Sequence, residues 1–353
     1  MSLDSKISSF ENNGNIKEFD ILRGFAIIFV VIIHTFGLVY HFNEGIEYLL
    51  TYGIIFIIAQ SAVPIFLFIS GYFLRLKYIN QNSLKSIYKS RVKKIILPYL
   101  LFSIIYLLYN NWRFDLNTNF LEGIYQILTF SVEFHFWFLG LLIFFYIFFP
   151  LLNKCFEKFS KVKLLVGSAI LQLIWIVLEI TIYKQFLFNP DMQVLIFFIK
   201  YTFISYFFYF FLGMYFVENY DQVIDRLDNK KSLYILILLL IPSILLSYYY
   251  IMDLVYFKLI TMPLSILAIL IFYKISFNLK EKKIGNLFEI FGRYSYGIYL
   301  IHPLITSLLG YIFEIGALFY LILFVNVCVF SLSIIYLINL LPYSEILIGK
   351  VRN

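Results

Sequence analysis

Apolar tracts of about 18 residues or more recur along the whole chain, and that is the length an α-helix needs to cross a bilayer. A chain with this pattern has few choices. Backbone groups inside lipid must be satisfied within the segment, so each tract folds as a helix. Hydrophobic residues make up 62% of the 353 and charged residues only 14%, which leaves no polar surface for a second, water-soluble domain. The expected fold is therefore all-α, a polytopic membrane protein. Ten spans are expected, near 19–40, 49–75, 95–111, 135–153, 164–183, 195–217, 233–252, 254–275, 290–311 and 316–341. The less apolar run 120–134 reads as a re-entrant or interfacial helix on the outer side.

The basic residues set the orientation. The stretch after the second span carries Arg75, Lys77, Lys85, Lys89, Arg91, Lys93 and Lys94. The loops after the fourth and eighth spans carry Lys154, Lys158, Lys161 and Lys163, and Lys274, Lys280, Lys282 and Lys283. The sixth is mixed, and the intervening loops hold little beyond Arg113 and Lys184. The positive-inside rule then puts both termini in the cytoplasm. This bias accounts for the net charge of +7, with the lysines meeting anionic headgroups and nothing pointing to nucleic acid. No cleavable leader is expected, because the first apolar run lacks a small-residue cleavage site. Cys155 and Cys328 are far apart in or beside apolar tracts and imply no disulfide framework.

The first span carries the sharpest local signal. Nine uncharged residues, Phe25 to Ile33, are preceded by Arg23 and closed by His34. Eleven residues at 100° each bring Arg23 and His34 within about 20° around a helix axis and roughly 16 Å apart along it. Ionisable groups at such depth face a bundle interior or a wet cavity. Arg23 could instead snorkel to headgroups, and His34 could serve only as an interhelical hydrogen bond.

Arg23, ten residues, then His34 resembles the signature of the acyltransferase-3 family of integral membrane acyltransferases. Further segments resemble the family's motifs in order: "PIFLFISGYFL" (64–74), "RVKKIILPYLLF" (91–102), "HFWFLGLL" (135–142), "FYFFLGMYF" (208–216) and "FGRYSYGIYLIHPLI" (291–305). Lys94 stands where the family often has a second arginine. The resemblance implies a membrane acyltransferase domain over residues 19–341, flanked by cytoplasmic segments at 1–18 and 342–353, of the stand-alone type without an added extracytoplasmic domain. It also implies transfer of an acyl group, usually acetyl, from a cytoplasmic donor such as acyl-CoA to a glycan or other acceptor at or beyond the outer face of the cytoplasmic membrane. The chain is similar, more weakly, to the membrane component that modifies or exports poly-N-acetylglucosamine exopolysaccharide.

Such transfer needs a base, a stabilised oxyanion and a held donor. His34 and His135 are the candidate bases, since histidine titrates near neutral pH. His302, before Pro303, is a candidate acceptor-binding residue or a hydrogen bond at a helix break, and His41 reads as a solvated loop residue. Trp137 and Phe138 are candidates for an acceptor-stacking wall or for interfacial anchors. The phosphates of CoA need cations: Arg23, which is also a candidate catalytic residue, Arg91 and Lys94, the last two three apart on one helix face. Ser70 and Gly71 offer a small-residue surface for a pantetheine arm or for helix packing. No His/Cys/Asp/Glu cluster has metal-ligand spacing, and acyl-CoA is expected as co-substrate with no permanently bound cofactor. The competing expectation is an exporter of polysaccharide or lipid-linked sugar, which would more naturally show internal repeats.

Overall fold

The computed structural model describes residues 16–36, 46–81, 84–186, 202–249, 257–310 and 317–349. His41 lies outside them. In chain order the helices are α1 (Lys17–Phe36), α2 (Ile46–Ala59), α3 (Ala62–Gln81), α4 (Leu84–Arg91), a π-helix (Val92–Ile96), α5 (Leu97–Phe114) and α6 (Phe120–Leu128). A 3₁₀ turn (Phe134–Phe136) opens α7 (Trp137–Lys158), and α8 (Lys161–Phe186) follows. A second 3₁₀ turn (Phe203–Tyr206) leads into α9 (Phe207–Glu218), then α10 (Tyr220–Asp228), α11 (Lys230–Tyr249) and α12 (Phe257–Leu279). The chain finishes with α13 (Lys283–Arg293), α14 (Ser295–Gly310), α15 (Ala317–Asn339) and α16 (Ser344–Ile348).

The described residues form an all-helical protein with no strand, and eight helices are long and apolar enough to cross a membrane. Two expected spans take a different form. Residues 203–218 form a shorter apolar helix, the remainder of that expected span lying outside the described residues. The stretch 290–311 is not one helix. It breaks at Tyr294, whose carbonyl accepts from Ile298 N–H at 3.0 Å and so starts α14. The stretch 120–134 is also divided. Its helix, α6, is closed at the N-terminus by a reciprocal capping box between Asn119 and Glu122, both bonds 3.0 Å. At nine residues α6 is about 13 Å long, too short to cross a bilayer.

The chain divides into two compact units. The first comprises residues 1–82 and 152–293, the second 83–151 and 294–353, so one of the three boundaries falls within α7.

The first unit is knitted by glycine crossings. A Cβ on Gly24 of α1 would strike the Phe288 carbonyl of α13, and one on Gly292 of α13 would strike the Asp20 carbonyl of α1. The same reciprocal device joins α3 to α9, where Gly71 abuts the Phe210 carbonyl and Gly213 the Phe68 carbonyl. Only glycine lets two helix backbones approach this closely, the small-residue packing that membrane helices use in place of a hydrophobic drive. Between these crossings the Phe19 ring packs on Tyr72 at 4.1 Å and on Phe73 and Tyr273 at 5.3 Å.

The second unit is held by tyrosine hydroxyls that reach main-chain carbonyls: Tyr99 to Ile127 O and Tyr296 to Ile95 O, both at 2.6 Å.

Candidate functional site

In the first unit, α1 is an unbroken helix carrying both Arg23 and His34. Its opening turn is tied down by Phe19 N–H and Asp20 N–H to the Ile16 carbonyl, at 2.9 and 3.2 Å. Glu18 and Asp20 sit where the helix dipole favours acids. Arg23 is buried, pairs with Asp20 one turn earlier, and lies 4.5 Å over the Phe73 ring of α3. A buried charge needs such a partner. The sequence reading named Arg23 without Asp20; the available signal was an acid three residues ahead of the arginine. His34 is half-buried near the other end of the helix.

Ser70 is half-buried on α3, and the face at Gly71 is filled by the Phe210 main chain. The motifs at 64–74 and 208–216 are thus two halves of one helix crossing.

A second polar cluster in this unit went unrecognised in the sequence. Arg75, read there as a loop cation, is only 6% exposed. Its Nε donates to Glu218 Oε1 at 2.9 Å, and its Nη1 donates to Asn153 Oδ1 at 2.6 Å and to Glu157 Oε1 at 2.7 Å. Lys161 pairs with the other oxygen of Glu218, and Phe156 packs 5.3 Å from the guanidinium carbon. One arginine thereby ties together α3, α7 and α9, and Lys161 adds α8 through Glu218.

In the second unit, Arg91 ends α4 and stacks 4.9 Å over the Tyr146 ring. Lys93 and Lys94 belong to the π-helix. The cause is Pro98, which lacks the N–H that an α-helix would aim at the Lys94 carbonyl. Leu97 N–H bonds instead to Val92 O, five residues back. The shared face expected for Arg91 and Lys94 assumed 100° per residue, and the wider π turn alters that alignment. Gly349, at φ 74°, passes close to the Lys94 carbonyl and the Tyr296 ring, and Lys93 pairs with Glu345 at 3.4 Å.

The second unit also brings together four of the predicted residues. His135 lies in the 3₁₀ turn and His302 in α14, 1% and 0% exposed, with ring centres 5.4 Å apart. Phe138 is buried and 5.8 Å from Tyr299, and Trp137 is half-buried 6.2 Å from Phe138. Tyr299 donates to the His135 carbonyl at 2.6 Å and its ring lies 5.0 Å from the His135 ring. Tyr106, 1% exposed, packs 5.6 Å from His135 and 5.5 Å from Phe136. Beside His135, Asn110 donates to Val132 O at 3.3 Å and to Glu133 Oε2 at 3.4 Å. Burial pushes the Glu133 carboxyl above its usual range, and the bonds from Asn110 and Phe134 N–H oppose that rise. Tyr106, Tyr299 and Glu133 were not singled out in the sequence. Among 30 tyrosines, no pattern marks two.

Among the described residues, no group of three or more His, Cys, Asp or Glu is arranged to hold a metal ion. What the two units offer is a half-buried histidine on a helix with a paired arginine, basic groups on a π-wound segment, and a buried cluster of histidine and tyrosine. These are groups for proton transfer and anion binding.

The acyltransferase-3 family, described as an acyltransferase domain, matches residues 16–340, and the chain belongs to it. No curated protein and no solved structure gives a significant match. The protein is a multi-pass membrane acyltransferase.

Proposed function

We propose that this acyltransferase moves an acyl group, acetyl being the favoured one, from cytoplasmic acyl-CoA to a hydroxyl of a cell-surface or exported polysaccharide. The observation that carries the reading is α1, where Arg23 and His34 stand on one continuous helix, Arg23 held by Asp20 and His34 half-buried. In this scheme His34 is the base. A half-buried imidazole can be reached by an acceptor hydroxyl, whereas His135 and His302 are enclosed. His135 remains the alternative base should an acceptor open that cluster.

The chemistry balances without a further reactant. The histidine takes the acceptor proton as the oxygen attacks the thioester carbonyl carbon. The tetrahedral oxyanion collapses, the carbon–sulfur bond breaks, and the imidazolium returns the proton to the CoA thiolate. Arg91 and Lys94 are the cations assigned to the phosphates of CoA, and Arg23 is a separate candidate for the same charge. Lys94 supplies charge without the fork of an arginine, so Lys94→Arg should keep or tighten donor binding. Trp137 and Phe138 are assigned to the acceptor, with His302 beside them. The cytoplasmic membrane, with both termini inside, is the location this scheme requires.

The test is transfer of radiolabelled acetyl from acetyl-CoA to polysaccharide by purified protein in vesicles. Label in base-labile ester on the glycan supports the reading. Polysaccharide moved across the vesicle wall without gaining label would favour an exporter instead.

A further inference from the structure

The helix that carries His302 is interrupted in its hydrogen bonding, and two side chains mend it. Pro303 has no N–H, so the Tyr299 carbonyl loses the donor an α-helix would supply. His302 Nδ1 takes that place, 2.9 Å from Tyr299 O and 3.1 Å from Ile298 O. A carbonyl oxygen only accepts, so Nδ1 carries the proton. In a neutral imidazole the other nitrogen, Nε2, then carries the lone pair. One residue further on, the Tyr106 hydroxyl is inserted into the helix ladder. It donates to Leu300 O at 2.9 Å and accepts from Leu304 N–H at 3.2 Å, two groups that would bond each other in an unbroken α-helix. The same Tyr106 ring packs against His135 and Phe136. A single buried side chain therefore holds the opened turn of α14 and touches the neighbouring histidine.

We infer that Tyr106 is a positioning residue that, with Pro303, fixes His302 as its Nδ1–H tautomer and so builds a proton acceptor at Nε2 beside His135. The inference rests on the proposed acyl transfer for its role in the reaction, but the tautomer itself does not depend on that role. Only four histidines are present, so ¹⁵N-histidine labelling reads each ring directly.

The experiment is the ¹⁵N spectrum of full-length protein in detergent or nanodiscs, with His302→Asn assigning the His302 signals, together with kcat and KM for acyl-CoA. The wild type should show His302 neutral, with Nδ1 protonated and Nε2 bare. Tyr106→Phe keeps the ring and removes the hydroxyl, and should give a mixture of tautomers. Pro303→Ala restores the missing N–H to Tyr299 O. It should move the proton off Nδ1 while leaving the protein at least as stable, which keeps the test open if Tyr106→Phe fails to fold. Both variants should lower kcat by roughly 10–100-fold, because a misplaced His302 no longer holds the acceptor in line, with KM for acyl-CoA little changed. The double variant should be no slower than the worse single one, because both act on one turn. A wild-type His302 protonated at Nε2 overturns the inference. So does a tautomer unmoved in both variants, or one that moves with kcat unchanged. A wild type that shows the Nδ1–H tautomer and transfers no acyl group would instead refute the proposed function and leave the tautomer assignment standing.

Discussion

The two units keep their buried polar groups in different currencies of chemistry. The first unit uses charge. Asp20 with Arg23, Arg75 with Glu157 and Glu218, and Lys258 with Glu179 at 2.7 Å are ion pairs with little exposure on at least one side. The second uses hydroxyls and an imidazole, with Tyr99, Tyr106, Tyr296, Tyr299 and His302 all bonded to main-chain carbonyls. The ion pair described there, Lys93 with Glu345, is about half exposed on both sides. The contrast teaches what each kind of network is suited to. A buried ion pair is rigid, because moving either partner strands a charge. A neutral network of hydroxyls and imidazoles can shift protons without stranding charge.

The difference breaks most readily at Arg75. Arg75→Ala leaves Glu157 and Glu218 without their shared cation, and breaking a buried pair typically costs about 3–5 kcal/mol. Thermal unfolding in detergent should show that loss, while the kcat of the surviving folded fraction stays near wild type. A smaller effect is expected at the glycine crossing. Gly71→Ala or Gly213→Ala forces α3 and α9 apart and should destabilise by about 1–3 kcal/mol, read in the same melts. If either alanine is tolerated without loss, the two backbones do not meet as described. The smallest effect belongs to Lys93→Ala in the second unit. An ion pair this exposed is worth about 0–1 kcal/mol, and the melt should barely move. A large shift there would erase the contrast between the units.

Much of this was legible in the sequence, and the reasons for the rest are physical. The helical class follows from tract length, and the single helix that carries Arg23 and His34 from the apolar run between them. Arg75 was misjudged because its partners Glu157 and Glu218 lie 82 and 143 residues away, and charge in a loop-like context reads as solvated. The π-helix is hidden for a simpler reason: Pro98 removes the donor for the carbonyl four residues earlier, and hydropathy carries no trace of that loss. The break at Tyr294 lies inside a continuous apolar run, where hydropathy gives no boundary. For His302, the adjoining Pro303 did mark a helix irregularity, while the hydroxyl that completes it comes from residue 106 and leaves no local trace.

The account stands or falls on His34. The measurement is the initial rate of labelled acyl transfer from acyl-CoA by His34→Ala, in vesicles, against wild type at equal amounts of folded protein. Losing a general base should lower that rate by about 10²–10⁴-fold, with acyl-CoA binding retained because the donor cations are untouched. A rate within a few-fold of wild type would contradict the account and shift the base to His135.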